Sequence, residues 1–190
     1  MSTPVCRLVE GRPDLEGILA LQESNLERNL AADDAARDGF VFVRHDLATL
    51  EAMHAAHPSV VAVHDGRVVG YVIMMAPELR DLVPVLGPMF DVFDGLVHAG
   101  KPLTEQRYFV NGQVCVDRRF RGSGVFDEML ARYREAYEAR FDLVVTEIAR
   151  RNVRSLRAHE RVGFRVIHSY VDPHNAECWD VVAWDWRENV

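Results

Sequence analysis

The chain has 190 residues, of which 48% are hydrophobic and 27% charged, and its formal net charge is −7. A chain of this length buries about 70% of its unfolded surface, so it can fold without a disulfide framework or a structural metal. The composition excludes collagen-like, low-complexity and intrinsically disordered proteins. Since globular domains hold roughly 150 residues, we expect a single domain over residues 1–190.

Several further classes are excluded by what the sequence lacks. The uncharged run at 68–77 has only ten residues, whereas a membrane-spanning helix needs about 20. The first residues show no basic start followed by an apolar run, so no secretory signal is predicted. The three cysteines (Cys6, Cys115 and Cys178) form no CxxC pair, which favours reduced thiols in a cytoplasmic protein. No metal site is expected, because no histidine lies in an acidic or cysteine-rich cluster.

Positive charge is concentrated in one segment. Residues 118–165 contain twelve arginines and seven carboxylates, and the whole chain has a single lysine. Solvated helix faces explain most of these arginines, although a basic segment within an acidic protein also suits a small polyanionic ligand. Aromatic residues do not alternate with the arginines, and the net charge is negative. We therefore expect no nucleic-acid partner.

The sequence pattern of the first half of the chain predicts two helices and three strands. Residues 5–10 are typical of a short strand, and an apolar stripe predicts a helix over 13–30. Asp46 suits the N-cap of a short second helix. Residues 59–64 and 67–75 predict a hairpin that turns at Asp65 and Gly66.

The second half begins with an insert and then alternates strands and helices. Residues 77–106 contain four prolines, which predicts one or two short helices rather than a strand. Asn152 and Gly163 suit the two ends of a helix over 152–162. The other predicted elements are a strand over 108–116, a helix over 124–140, a strand over 143–148, and two closing strands over 164–170 and 178–186. This order predicts an α/β (α+β) fold with a mixed sheet and helices on both faces.

The segment between the strand at 108–116 and the following helix carries the clearest functional signal. Gly122 and Gly124 let the backbone approach a ligand closely, and a helix N-terminus exposes unpaired N–H groups with a partial positive charge. With Arg119 and Arg121, this turn is a candidate pyrophosphate site. A plain glycine-rich turn is the simpler alternative. The Walker A and dinucleotide patterns do not fit, since no lysine is near and Asp127 stands where the last glycine would be.

Two motifs resemble those of a known superfamily. The run from Arg119 to Gly124, RFRGSG, matches the [Q/R]xxGx[G/A] signature of the GCN5-related N-acetyltransferases (GNAT). Residues 152–164, NVRSLRAHERVGF, are similar to that superfamily's second motif, an N-x-x-[AS] helix that ends in Y-E-x-x-G-F. Both motifs occur at the expected separation, and the resemblance covers residues 60–164. It implies a mostly antiparallel central sheet of about seven strands flanked by helices, with a helical insert at 77–106.

The resemblance implies acetyl-CoA as the cosubstrate. The pantetheine arm would pair with the strand edge at 114–116, where an N–H near Val116 would polarise the thioester carbonyl. The pyrophosphate would bind the amides of residues 121–125. Asn152 would contact the pantetheine arm, cap the helix, or do both. The implied cofactor-binding residues are Val114, Cys115, Val116, Arg119, Arg121, Gly122, Ser123, Gly124, Val125 and Asn152.

Two residues are candidates for acid–base catalysis. Glu147 lies five residues before Asn152 and His159 lies twelve residues after Glu147, a spacing similar to that of the ribosomal-protein N-terminal acetyltransferases. This likeness implies that Glu147 acts as base, through water, and His159 as acid. Two alternatives stay open: Glu147 pairs with Arg150, or His159 is a hydrogen-bonded core histidine. Phe126 and His159 depart from the family pattern, which usually has a small residue and often a tyrosine at these positions.

The acceptor is predicted only as a small-molecule or peptide amine that is acetylated by direct attack in a ternary complex. Its cleft would be built from residues 31–57 and the insert, both of which are acid-rich. A catalytically silent CoA-binding sensor or scaffold is the main alternative, and a nucleic-acid-associated protein is a further one. No membrane partner is expected. Trp184 and Trp186 share one face of the last strand, which predicts core packing or, as a second option, a homodimer interface.

Overall fold

The computed structural model describes residues 3–31, 39–173 and 175–189. The strands are β1 Val5–Leu8, β2 Val60–His64, β3 Arg67–Met75, β4 Val97–His98, β5 Lys101–Pro102, β6 Tyr108–Val116, β7 Leu143–Ala149, β8 Arg165–Val171 and β9 Cys178–Asp185. The α-helices are α1 Arg12–Glu23, α2 Leu47–Ala56, α3 Gly87–Asp94, α4 Val125–Tyr137 and α5 Val153–Val162.

Seven of these strands form one sheet in the order β1-β2-β3-β6-β7-β9-β8. Every neighbouring pair is antiparallel except β6 and β7, which run parallel. The predicted fold class, a mostly antiparallel sheet of about seven strands with helices on both faces, is confirmed. The hairpin of β2 and β3 turns at Asp65 and Gly66 as predicted.

The sheet separates two hydrophobic cores. On one face α1, α2 and α3 bury apolar side chains such as Ile18, Leu50 and Phe90 against the sheet. On the opposite face α4 and α5 cover a second core that includes Tyr133 and Phe164. The second core also contains both tryptophans of the closing segment, which are 7% and 4% exposed at positions 184 and 186. Core packing, the first of the two options for these side chains, is therefore confirmed.

The helix predicted over 13–30 is wrong over residues 24–30, because α1 ends at Glu23. Ser24 Oγ and Asn25 Nδ2 both donate to the carbonyl of Leu21, at 2.8 and 2.9 Å, and so compete with the helical backbone bonds. Leu26 keeps to the apolar stripe and is 1% exposed, but it is extended and forms a parallel bridge with Val41. The predicted acidic loop at 31–39 lies almost entirely outside the described residues.

The insert contains one α-helix, as predicted, and a small hairpin that was not predicted. Two 3-10 turns, Pro77–Leu82 and Pro84–Leu86, precede α3, and β4 pairs with β5 after it. His98 Nε2 lies 3.1 Å from a carboxylate oxygen of Asp185 at the end of β9. This contact attaches the hairpin to the main sheet.

A buried polar network attaches the segment before α2 to the middle of the sheet. Gln22 of α1 donates from Nε2 to Gln113 Oε1 and to His45 Nδ1, each at 2.9 Å. The same Gln113 oxygen accepts from the Tyr71 hydroxyl at 2.6 Å, and Gln113 Nε2 donates to the carbonyl of Val43 at 2.8 Å. Buried polar groups are costly unless they are bonded. The network therefore specifies where residues 43–45 lie beside β6.

The predicted ends of α5 are confirmed. The Asn152 side chain accepts a hydrogen bond from the Ser155 N–H at 3.3 Å. Gly163, which ends the helix, has φ +121°. A Cβ at this position would lie 2.7 Å from Nε1 of Trp184. Glycine is thus required here both by the backbone conformation and by the tryptophan packed against it.

We expect Gly163→Ala to destabilise the protein more than Gly66→Ala. Gly66 also has a positive φ (+73°), but a Cβ there would meet nothing within 4 Å, so that variant bears backbone strain only. Strain of about 1–2 kcal/mol corresponds to a Tm roughly 2–8 °C lower. Gly163→Ala adds a packing clash and should lower the Tm about twice as much. Calorimetric unfolding measures both values, and equal losses would contradict the assigned clash.

Candidate active site in the gap between β6 and β7

The central feature of the site is a gap between the two parallel strands. β6 and β7 pair only through residues 108–110 and 143–145, although both strands continue. A β-bulge at Gly112 interrupts the pairing of β6 with β3 at the same level, since Ile73 pairs with Gln113 and Met74 with Asn111. Because the bulge bends β6, its second half separates from β7.

One edge of β6 is left without a partner strand beyond this point. The Asp117 N–H bonds to the carbonyl of Val69 in β3 at 2.8 Å. Successive residues of a strand direct their backbone groups to opposite edges, so Val116 and Val114 face the gap. The Val116 carbonyl accepts a hydrogen bond from Arg121 Nε at 2.9 Å on that side. The backbone there is thus open to a hydrogen-bonding partner that is not a strand.

The glycine-rich turn follows directly from this edge. Gly122 and Gly124 have φ +78° and +89°, which is the left-handed region that favours glycine. A Cβ on either residue would meet nothing within 4 Å, so the turn faces open space. α4 begins at Val125, and its N-cap, Gly124, provides no side-chain oxygen for the first-turn N–H groups. These amides are therefore available to an anion.

A cleft of about 720 Å³ connects the turn with the gap. One wall is the end of β6 with the start of α4, and the facing wall is α5. Asn25, Phe40 and Val41 form a third side. The cleft is lined by seven of the ten predicted cofactor-binding residues: Val114, Cys115, Val116, Arg121, Gly122, Gly124 and Asn152.

The other three predicted cofactor-binding residues have different surroundings. Arg119 pairs with Asp117 at 2.9 Å, with most of its side chain exposed. The Ser123 hydroxyl donates to the carbonyl of Phe120 at 2.6 Å. The Val125 side chain is buried in the second core. Only the backbone of Ser123 and Val125 remains a candidate for ligand contact.

Arg121 and Asn152 line the cleft and connect its walls through hydrogen bonds. Arg121 reaches from the Val116 carbonyl to Asn25, whose Oδ1 accepts from Nη2 at 2.7 Å. Asn152 caps α5 and donates from Nδ2 to the carbonyl of Phe40 at 3.3 Å. These bonds hold the segment that begins at Phe40 against α5, and the residues that follow α1 against the glycine turn.

Glu147 lies on the α1–α3 face of β7 and is half-buried. The Tyr170 hydroxyl of β8 donates to Glu147 Oε2 at 2.5 Å. Burial raises the pKa of Glu147 to about 7; the Tyr170 hydrogen bond lowers it, and the nearby Asp172 charge raises it further. The alternative of a pair with Arg150 is wrong, since Arg150 binds Asp180 at 2.6 Å.

His159 lies on the opposite face of the sheet, 3% exposed between the rings of Phe126 and Phe164. Its Nδ1 is 2.9 Å from the carbonyl of Ser155. A carbonyl only accepts, so Nδ1 carries the proton and Nε2 accepts from Asn111 Nδ2 at 3.3 Å. Burial lowers the pKa of His159 to about 4. This geometry favours the hydrogen-bonded core histidine, and the acid role stays a prediction.

Sequence reasoning missed several residues at this site. Glu147 of β7 is bonded by Tyr170 of β8, and these two strands are separated by β9. Which residue of β8 reaches Glu147 depends on the register of the three strands, and no local pattern in the sequence indicates that register. Three arginines of α5 also line the cleft, and their i, i+3, i+7 spacing was the available signal, because such residues share one helix face. The unpredicted residues include Asn25, Phe40, Arg154, Arg157, Arg161 and Tyr170.

Three other features that the sequence raised were a reactive cysteine, a metal site and a membrane-spanning helix. Burial raises the pKa of the Cys115 thiol to about 12, so it stays a protonated packing group at neutral pH. Among the described residues, no three His, Cys, Asp or Glu side chains are grouped to hold a metal ion. In the same residues, none of the helices combines the length and apolar character that crossing a bilayer requires.

Comparison with known proteins identifies the family. The sequence model of the Acetyltransferase (GNAT) family matches residues 27–164. This match covers more than half of the chain, which therefore belongs to the GNAT family. Family membership supports acetyl transfer as the class of reaction. A search of curated protein sequences found no significant match.

Solved structures confirm the fold. The structure of yncA from Salmonella typhimurium with its cofactor acetyl-CoA has a TM-score of 0.62 at 17% identity, covering 97% of this chain and 95% of that one. The ribosomal-protein-S18-alanine N-acetyltransferase from Escherichia coli has a TM-score of 0.61 at 11% identity, covering 96% and 93%. The NatC complex bound to Gag peptide and CoA has a TM-score of 0.63 at 12% identity, covering 97% and 99%. At these identities the likeness is one of fold.

We expect Tyr170→Phe to raise the pKa of Glu147 above its value of about 7. The tyrosine hydroxyl stabilises the carboxylate, so its loss favours the protonated form. Carbon-13 NMR titration of the glutamate carboxyl groups measures the pKa, with the signal assigned by Glu147→Gln. Tyr108→Phe is the control, because Tyr108 interacts with Arg80 and Asp94 instead. An unchanged or lower pKa in Tyr170→Phe would contradict the assigned bond.

Proposed function

We propose that this protein is an N-acetyltransferase that transfers an acetyl group from acetyl-CoA to a primary amine by direct attack in a ternary complex. One observation carries the proposal. The unpaired edge of β6 leads into a glycine turn at a helix N-terminus, and a carboxylate with a raised pKa stands on the neighbouring strand. Family membership supports the class of reaction, and the acetyl-CoA bound to yncA supports the cosubstrate.

The residues present fit acetyl-CoA. The gap-facing backbone of Val114 and Val116 suits the amides of the pantetheine arm. The N–H groups of residues 121–125 suit the pyrophosphate, since open space lies above both glycines of the turn. Asn152 lines the same cleft while it caps α5, which is compatible with both roles predicted for it.

The gap also explains how two reactants meet. The cosubstrate cleft runs along the walls formed by α4 and α5, whereas Glu147 lies on the α1–α3 face. A gap between strands is the point where groups from the two faces can approach each other. We propose that the acceptor amine enters from the α1–α3 face, where the acid-rich insert and the segment after residue 39 surround it.

The chemistry follows from the protonation states. A bound acetyl-CoA supplies the thioester carbonyl carbon as the electrophile. A primary amine has a pKa of about 10 and is mostly protonated at neutral pH, so Glu147 must remove a proton, through water, before the C–N bond forms. The Val116 N–H faces the gap and would stabilise negative charge on the carbonyl oxygen. The C–S bond then breaks, the attacking nitrogen loses its second proton to water as the amide forms, and the thiolate takes a proton from solvent.

Two neighbours of this centre act as positioning residues in the proposal. Tyr170 fixes one oxygen of Glu147 at 2.5 Å and leaves the other for the acceptor side. His159 directs its single proton to the Ser155 carbonyl and holds Asn111 where the gap begins. We therefore do not assign the protonation of the thiolate to His159.

Glu147→Gln should lower kcat by roughly 10²–10⁴-fold, the usual range for a lost acid–base group. The acidic limb of the pH–rate profile, set by the pKa of about 7, should disappear with it. Affinity for acetyl-CoA should stay the same, because Glu147 lies outside the cleft lining. A panel of amines with CoA release as readout identifies the acceptor first.

His159→Phe is the matched comparison for this test. It should lower the Tm while keeping the pH profile of the wild type. A folded Glu147→Gln protein with normal binding and wild-type kcat would contradict the role of base. Acetyl-CoA binding without CoA release on any amine would favour the silent sensor or scaffold instead.

Acetyl-CoA binding is tested separately by thermal stabilisation. At a concentration 100-fold above Kd, a ligand specific for the native state adds about 2.7 kcal/mol, or roughly 5–10 °C in Tm. Gly124→Asp should abolish this shift, since it places a Cβ and a negative charge at the proposed pyrophosphate site. Gly100→Asp is the control, because Gly100 has φ +78° and an equally open Cβ position but lies in the β4–β5 turn. A full shift in folded Gly124→Asp would contradict the site.

A further inference from the structure

The arginines of the basic segment differ in whether a carboxylate neutralises them. Many form ion pairs, such as Arg150 with Asp180 and Arg161 with Asp127, each at 2.6 Å. Arg154 and Arg157 are exposed and form no ion pair with any of the described residues. Both line the cleft. They are three residues apart on α5 and so lie on one face of that helix.

Within the described part of the chain, other exposed arginines without an ion pair, such as Arg140, lie outside the cleft, so Arg154 and Arg157 are distinguished by their place in its lining. The chain has 29 carboxylates and a net charge of −7, so an exposed guanidinium has many potential partners. Two neighbouring cations that face a cleft, rather than the acidic surface, repel each other mildly and attract an anion. Arginine presents its donors in a planar fork that matches phosphate oxygens. The pair is therefore a candidate phosphate site.

The wall of the cleft that faces Arg154 and Arg157 limits which phosphate group can bind to these two arginines. That wall is the glycine turn and the first turn of α4, whose amides suit the pyrophosphate. The ion pair of Arg161 with Asp127 connects α5 to the first turn of α4, so the two walls are held at a defined separation. Acetyl-CoA carries one other phosphate group, on the 3′ position of its adenosine.

We propose that Arg154 and Arg157 bind the 3′-phosphate of acetyl-CoA and make the protein discriminate between it and cosubstrates that lack this group. The inference rests on the proposed function, since it assigns a second anion site in the same cleft. It adds a recognition element on α5 that acts on binding and not on the chemical step.

The test compares acetyl-CoA with 3′-dephospho-acetyl-CoA by isothermal titration calorimetry. The wild type should bind acetyl-CoA at least roughly tenfold more tightly, as expected for charged hydrogen bonds. In the double variant Arg154→Gln/Arg157→Gln this preference should fall to about one, with the affinity for the dephospho form unchanged. Arg140→Gln is the control, because Arg140 is exposed, is not among the residues that line the cleft, and follows the end of α4. Unfolding curves confirm that each variant is folded.

The outcomes separate the inference from the proposed function. If the wild type binds both ligands equally, or the double variant keeps the wild-type preference, the 3′-phosphate assignment is overturned while the proposed function stands. If the double variant loses affinity for both ligands by the same factor, the arginines act on the pyrophosphate and the assignment is again overturned. If the wild type binds neither ligand, the proposed function fails and the inference fails with it.

Discussion

The separation of β6 from β7 is the constraint on which the rest of the site depends. When two strands in the middle of a sheet do not pair, their backbone N–H and C=O groups lack hydrogen-bond partners. Such groups lower the stability of the fold when they are buried. Here side chains replace two of the missing bonds: Thr146 donates to the carbonyl of Asn111 at 2.8 Å, and Arg121 donates to that of Val116. The bulge at Gly112 bends the strand away at the same level. The gap is thus stabilised by the fold itself, and its open edge leads directly into the glycine turn.

Burial acts on both titratable groups near the gap and drives each toward its neutral form. A buried carboxyl has its pKa raised and a buried imidazole has its pKa lowered. For Glu147 the effect moves the pKa to about 7, where a base can take and release a proton at neutral pH. For His159 it moves the pKa to about 4, so the ring is neutral and its one proton is committed to the backbone. The same physical effect therefore favours Glu147 as a proton acceptor and disfavours His159 as a donor.

Whether an arginine of the basic segment contributes to the local positive charge depends on where it lies and on whether a carboxylate pairs with it. The twelve arginines of residues 118–165 predicted solvated helix faces or a site for a small polyanionic ligand, and salt bridges to nearby carboxylates neutralise several of them. Exposed ion pairs of this kind contribute about 0–1 kcal/mol each, so their main effect is to cancel the local field. Among the arginines that the described carboxylates do not pair, Arg154 and Arg157 place positive charge within the cleft, on the side opposite a helix N-terminus. A polyanionic ligand would then be drawn to one place on a protein that is acidic as a whole.

The sequence by itself determined the features that depend on residues close together in the chain. The β2–β3 hairpin, the caps of α5, the glycine turn and the two family motifs are all set by local backbone preferences and short hydrogen bonds. Tertiary structure decided three other features. The apolar stripe of α1 continues beyond Glu23, where Ser24 and Asn25 bond back to Leu21, but Leu26 lies outside the helix because it pairs with Val41. Tyr170, rather than Arg150, binds Glu147, because the register of β8, β9 and β7 places it there. His159 is enclosed between Phe126 and Phe164 and accepts a hydrogen bond from Asn111, because α5 packs against α4 and the sheet. Each of these depends on contacts between distant segments, and one sequence carries no local signal for such contacts.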